Sequence, residues 1–329
     1  MVLAGVTGIC IASVADAGDE VPLGLKPLKK LKSNPQTAAK IELGKQLYFD
    51  PRLSADNSVS CASCHDPKKG WSNGEATAAG FENKRGGRSA PTILNSAYHR
   101  MQFWDGRSPS LEDQALGPIA NPIEMNLPVE KAVKRIAGIK GYVEQFDAVF
   151  EDGVTAENLA KAIAAFERTI LAGNSPYDRF KAGDESALSE QAQLGMKLFF
   201  GKANCSACHA GGHFSDNAFH NLGVGYADGK FADSGREVIS KMEGDRGSFK
   251  TPPLRDIART APYMHDGSLK TLEAVIDFYS KGGIANEYLD EEIFELDLTP
   301  EKKAALVAFL KEGLTSDDYP DVDPPKLPE

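Results

Sequence analysis

The chain is short of cysteine, of positive charge and of long apolar runs, and each shortage removes a class of function. Five cysteines occur in 329 residues, and four of them fall into two copies of one pattern. None remains to complete a zinc site beside either copy. Acidic residues outnumber basic ones by 47 to 37, a formal net charge of −10. That balance argues against nucleic acid and against an anionic membrane surface, and leaves room for a neutral or basic protein partner. Past the N-terminus no apolar run approaches the ~20 residues needed to span a bilayer, so no membrane span is expected. Strand-like alternation is nearly absent too.

The N-terminal exception runs from Val2 to Val14, contains Cys10, and is followed by Ala15-Asp16-Ala17. Its length and its A-x-A ending match a signal peptide, although no basic segment precedes it. Residues 1–17 are therefore read as removed in a periplasmic mature protein, which would carry no free thiol in that oxidising compartment.

What is present is Cys61-Ala62-Ser63-Cys64-His65 and its copy Cys205-Ser206-Ala207-Cys208-His209. C-x-x-C-H is the attachment pattern of a c-type haem. The thiols form thioethers to the porphyrin, and the histidine offers a ring nitrogen to the iron. Two complete copies predict two covalently attached haems. The repetition extends further. Leu43-Gly44 with Leu47-Tyr48-Phe49 precedes the first motif, and Leu194-Gly195 with Leu198-Phe199-Phe200 the second. Ala90-Pro91, Asp105-Gly106 and Leu111-Glu112 recur at equal offsets as Thr251-Pro252, Asp266-Gly267 and Leu272-Glu273. A tandem duplication of one haem-binding unit follows.

Apolar periodicity predicts helices at Thr37–Tyr48, Asp113–Leu116, Val129–Ile136, Ala156–Leu171, Thr271–Tyr279 and Pro300–Leu310, with Ser189 capping the helix that carries Leu194. Residues 66–90 and 210–250 read as loops, and the Asp/Pro-rich tail from Ser316 as irregular surface chain. The expected fold is mostly α, with two tandem cytochrome c-like haem domains. Gly173-Asn174-Ser175-Pro176 marks the boundary between an N-terminal haem domain, 18–176, and a C-terminal haem domain, 177–329.

Gln102-Phe103-Trp104-Asp105-Gly106-Arg107, then Gln114, then Asn121-Pro122-Ile123-Glu124-Met125, resembles the bacterial dihaem cytochrome c peroxidases and the related protein-modifying enzyme MauG. So does Ala261-Pro262-Tyr263-Met264-His265-Asp266-Gly267. The likeness covers essentially the whole mature chain. It implies that Glu124 and Gln114 are the distal acid and amide of the first haem, and that Trp104 lies between the haems as a relay. Peroxidases of this kind that need reductive activation cap the first haem with a histidine after a glycine. Here Gly80-Phe81 stands there, so the His65 haem is expected to be open. His99 is the one rival cap. At the second haem the resemblance implies Tyr279 as sixth ligand, where similar peroxidases have Met, with Met264 or His265 as alternatives. Thr260 and Pro262 match backbone ligands of an inter-haem calcium ion, whose usual Asn companion is here Ser89. His213 and His220 receive no role.

These residues imply an oxidoreductase that activates hydrogen peroxide at the His65 haem. The His209/Tyr279 haem would store or relay oxidising equivalents for MauG-like oxidation of a protein partner. The alternative is a constitutively active cytochrome-c peroxidase fed by a small cytochrome c or cupredoxin. A pure electron carrier would want both irons six-coordinate, and Phe81 with Glu124 points the other way. The chain is expected as a monomer or a homodimer.

Overall fold

The computed structural model describes residues 21–329, and the signal-peptide expectation for residues 1–17 lies outside them. The first half carries α1 (Ala38–Phe49), α2 (Cys61–Cys64), α3 (Leu111–Ala120), α4 (Val129–Ala137), α5 (Lys140–Val149) and α6 (Ala156–Glu167). The second carries α7 (Pro176–Lys181), α8 (Glu190–Phe199), α9 (Glu237–Ser240), α10 (Leu272–Ser280) and α11 (Pro300–Ala308). Four strands of two or three residues form two antiparallel pairs. β1 (Phe219–Asn221) pairs with β4 (Ser248–Lys250), and β2 (Tyr226–Ala227) with β3 (Lys230–Phe231). The fold is mostly α. No helix among the described residues is long and apolar enough to cross a membrane.

The duplication is visible in packing. Helix α1 crosses α6 at Gly44, where an added Cβ would fall 1.9 Å from the Ala162 carbonyl oxygen. Helix α8 crosses α11 at Gly195, where a Cβ would meet the Ala305 carbonyl oxygen at 1.9 Å. Only glycine allows the backbones so close, and each crossing anchors a core. Leu43, Leu47, Ile119, Tyr142, Phe146 and Ile163 fill the first. Phe199, Phe214, Leu272, Ile276, Leu306 and Phe309 fill the second. Equivalent residues even share left-handed backbone: Asn95 with Asp256, and Phe103 with Met264.

Several elements depart from the periodicity. Helix α6 stops at Glu167, short of Leu171, because the next residues bond elsewhere. The Ile170 carbonyl accepts from Asn95 N–H at 2.9 Å, and the Asn95 amide brackets Ala172 at 2.9 and 3.0 Å. Pro176 both breaks the chain and starts α7, entered through a capping box between Ser175 and Asp178. Helix α3 is longer than expected, α5 was not expected, and residues 210–250 hold all four strands. The tail is irregular, as expected, and runs back over the first half. The Pro320 carbonyl accepts from Trp71 Nε1 at 2.9 Å, the Tyr319 hydroxyl donates to the Pro67 carbonyl, and the Glu329 carbonyl accepts from Gly141 N–H at 3.0 Å.

Candidate haem cavity

One cavity of about 830 Å³ is lined from both halves, and both C-x-x-C-H motifs open on it. Each motif makes a single tight turn, with His65 N–H bonded to the Cys61 carbonyl and His209 N–H to the Cys205 carbonyl, both at 2.9 Å. That turn puts each histidine on the same side as its cysteines. All four cysteines are free thiols. His209 Nδ1 lies 2.9 Å from the Phe214 carbonyl oxygen, which fixes the ring and leaves Nε2 for a metal. His65 Nδ1 is buried without a hydrogen bond; the Trp71 and Pro91 backbones are its polar neighbours. Burial holds both imidazoles below their ordinary pKa, in the neutral form that ligates.

The cavity suits a large planar group bearing carboxylates. Lys250 is 6% exposed, lines the cavity and makes no ion pair among the described residues. Burial pulls its ammonium down to about 8. His99 Nε2 is also buried without a partner on the same wall. Two orphaned donors beside four thiols and two neutral imidazoles match a porphyrin with propionate arms.

Glu124 and Gln114 both reach this cavity. Ser110 caps α3 through its hydroxyl, which accepts from Asp113 N–H at 3.1 Å, and Gln114 follows in the first turn. Its side-chain amide has no partner among the described residues. Asn121, ending α3, turns the chain: its Oδ1 accepts from Ile123 N–H at 3.1 Å, and its Nδ2 donates to Glu124 Oε1 at 2.8 Å. Burial raises the Glu124 carboxyl above its ordinary pKa, while Arg107 and Asn121 pull the other way. The Gly80-Phe81 loop lies on this turn, with Phe81 N–H donating to the Glu124 carbonyl at 2.7 Å. Phe81 itself does not line the cavity; its ring sits 5.1 Å from the Lys84 ammonium.

Trp104 stands where the halves meet. Its Nε1 donates to the Ser89 carbonyl at 2.9 Å, and its own carbonyl accepts from Lys250 N–H at 2.8 Å. Ser89 N–H donates to the His265 carbonyl at 2.6 Å. Arg88 adds ion pairs at 2.6 Å to Asp105 and to Asp233. Ser89, Thr260 and Pro262 all line the cavity near this seam, and no side chain among the described residues bonds the Ser89 hydroxyl. Tyr279, on α10, lines it near the second motif. Its hydroxyl has no hydrogen-bond partner among the described residues, and burial drives its pKa upward. Met264 and His265 line the cavity as well, and the His265 ring is stacked on Phe249 at 3.6 Å.

The family model described as di-haem cytochrome c peroxidase matches residues 38–186. Methylamine utilization protein MauG of Methylorubrum extorquens is 43% identical over 282 residues, covering 85% of this chain and 79% of that protein. Cytochrome c551 peroxidase of Nitrosomonas europaea is 38% identical, covering 96% and 91%. A solved MauG-like protein associated with microbial copper homeostasis superposes with a TM-score of 0.85 at 34% identity, covering 91% and 96%. The chain belongs to the di-haem cytochrome c peroxidase and MauG family.

As a member of that family it is a dihaem oxidoreductase, and the two haems are its cofactors. Sequence reasoning missed several residues of this dihaem cavity. Arg107 is the cation that acts on Glu124; it stacks 3.4 Å over Phe103 and bonds Asp105. Lys250 and Glu167 line the cavity without carrying any motif. His99 has Lys250, His213 and Gln102 for neighbours, and His213 bonds Asn217. His220 is clasped by Asp290 at 2.6 Å and Asp216 at 3.0 Å. The Cys208 sulfur and then these carboxylates push its pKa up to about 10, and thioether formation would remove the Cys208 share. Cys208, Asp216 and His220 converge as a metal-binding trio would, but Cys208 belongs to the haem motif.

Proposed function

We propose that the chain is a periplasmic, MauG-like dihaem enzyme that uses hydrogen peroxide to oxidise a protein partner. The observation that carries this reading is Tyr279: a half-buried phenol, whose hydroxyl has no partner among the described residues, lines the cavity beside the second motif, where the similar peroxidases have Met. Cys61, Cys64 and His65 would hold one haem, and Cys205, Cys208, His209 and Tyr279 the other. When bound, the haems supply the irons at which peroxide is reduced and the oxidising equivalents are held.

The remaining work falls to the chain. Gln114 would orient peroxide through its free amide, and Glu124 would take the proton from the near peroxide oxygen and return it to the far one. Arg107 favours the ionised Glu124 carboxyl, against the burial that raises its pKa. The Gly80-Phe81 loop, bonded to the Glu124 carbonyl, brings no side chain of its own that could ligate iron. Trp104, tied to Ser89 on one side and Lys250 on the other, is placed to pass electrons between the halves. A calcium ion would sit on the Thr260 and Pro262 carbonyls with the Ser89 hydroxyl, stiffening the seam around Trp104.

The test is a peroxide titration without reductant. A MauG-like enzyme consumes one equivalent of peroxide and then returns two oxidising equivalents to a one-electron donor. If the protein retains nothing, and instead turns over rapidly with a reduced small cytochrome c or cupredoxin, the cytochrome-c peroxidase reading replaces this one.

A further inference from the structure

Glu167 ends α6 with its carboxyl facing the first motif. It is 5% exposed, lines the haem cavity, and its Oε2 is buried without a hydrogen-bond partner. Most groups around it are engaged elsewhere, although Arg168 Nη1 is also buried without a hydrogen bond and its charge favours a Glu167 carboxylate. From its own helix end, Arg168 pairs with Glu112 at 2.8 Å. From α3, Glu112 also accepts from Asn34 at 2.8 Å, and its charge repels a Glu167 carboxylate. From α1, the Tyr48 hydroxyl donates to the His65 carbonyl at 2.7 Å, and Lys40 bonds Asn34 at 3.0 Å and the Pro35 carbonyl at 2.8 Å. From α2, the Cys61 thiol feels its charge, as does Tyr48 from α1. Trp71 donates away, to Pro320.

The duplicated half supplies an internal control. Gly44 packs on Ala162 and Phe166, and Gly195 on Ala305 and Phe309, so Glu167 corresponds to Leu310. Leu310 is buried and lines the same cavity. Leucine therefore satisfies the packing at this position, and the carboxyl is peculiar to the half that carries Glu124 and Gln114. An unpaired buried carboxyl is stable as the neutral acid until a positive charge arises nearby.

We propose that Glu167 is a redox-linked proton site of the first haem. The inference rests on the reading that a haem is attached at Cys61 and Cys64. On oxidation of a reduced first haem, one electron would leave for the electrode mediator, and one proton would leave the Glu167 carboxyl for solvent. Reduction reverses both transfers. A carboxylate thus offsets the extra positive charge of ferric iron, and the neutral acid accompanies ferrous iron. Burial, opposed by the neighbouring Arg168 and aided by Glu112, holds the carboxyl at about 8, within reach of that coupling at neutral pH.

The test is spectroelectrochemical titration of the holoenzyme across the neutral and alkaline range, for wild type, Glu167→Gln and Glu167→Leu. One proton per electron changes the equilibrium constant up to tenfold per pH unit, which is about 59 mV. The wild-type first-haem potential should fall with pH toward that limit. Both variants should lose the slope, and the second-haem potential should be indifferent to them. Infrared spectra should show a protonated-carboxyl band that disappears in Glu167→Gln. A wild-type potential independent of pH, or a slope that survives both substitutions, would overturn the inference. Haem content measured on the same samples separates the two ideas. Fewer than two haems per chain sinks the attachment reading and this inference together, whereas two haems with an unchanged slope sinks this inference alone.

Discussion

Glu124→Gln separates proton transfer from every other role of that side chain. The glutamine carbonyl can still accept from Asn121 Nδ2, which now reaches Oε1 at 2.8 Å, and the backbone bond to Phe81 is untouched. The turn should keep its shape, and only the proton-accepting oxygen is lost. General acid–base assistance is worth about 10²- to 10⁴-fold, or roughly 3–5 kcal/mol of barrier. Stopped-flow mixing with peroxide should show a loss of that size, while haem spectra and peroxide-free stability hold. The pH dependence carries the sign. Burial raises the Glu124 pKa above its ordinary value, so the wild-type rate should fall as pH drops through that raised value. Asn121→Ala removes a hydrogen bond to a charged group, worth about 1.5–3 kcal/mol. It should move the acid limb up by about 1–2 pH units. A Glu124→Gln rate within a fewfold of wild type, or an acid limb unmoved by Asn121→Ala, would refute the assignment.

Other consequences of the packing are open to direct measurement. Gly195→Ala drives a methyl into the Ala305 carbonyl. It should destabilise the protein in denaturant titrations by about 1–3 kcal/mol or more, with Gly44→Ala behaving alike. Arg255→Ala leaves Asp178 buried without the bonds at 2.6 and 2.8 Å that it now accepts. The expected cost in the same assay is about 3–5 kcal/mol; a loss below ~1 kcal/mol would mean that water already shares the site. For Glu167 in the reduced protein, where no ferric charge favours the carboxylate, the folded pKa near 8 exceeds the ordinary value of 4.5. The folded state therefore keeps a proton that the unfolded state has released. Wild-type stability should fall relative to Glu167→Gln by about 1.4 kcal/mol per pH unit between those values, and the gap should stay constant above them.

The chemistry was legible in the sequence where it is local. A C-x-x-C-H turn has to place its histidine beside its thiols, and equal spacing in two copies has to mean repetition. The crossings at Gly44 and Gly195 explain why those glycines stand in the repeat. What escaped depends on distant partners. The end of α6 is set by Asn95, from the loop following the first motif. The strands are two or three residues long, too short for an alternating pattern to register. Lys250 and Glu167 carry no motif; they acquire meaning only because both line the cavity and neither makes an ion pair among the described residues. The tail looked like plain surface chain, yet it bonds Trp71 and Gly141 in the first half.

The central claim is an open first haem beside a second one ligated by His209 and Tyr279. Low-temperature electron paramagnetic resonance of the oxidised protein, with Tyr279→Phe alongside, tests it most directly. The account predicts one high-spin and one low-spin ferric signal, with only the low-spin signal altered by the substitution. Two low-spin signals that ignore it would contradict the account, and would place a hidden sixth ligand such as His99 or Met264 on iron.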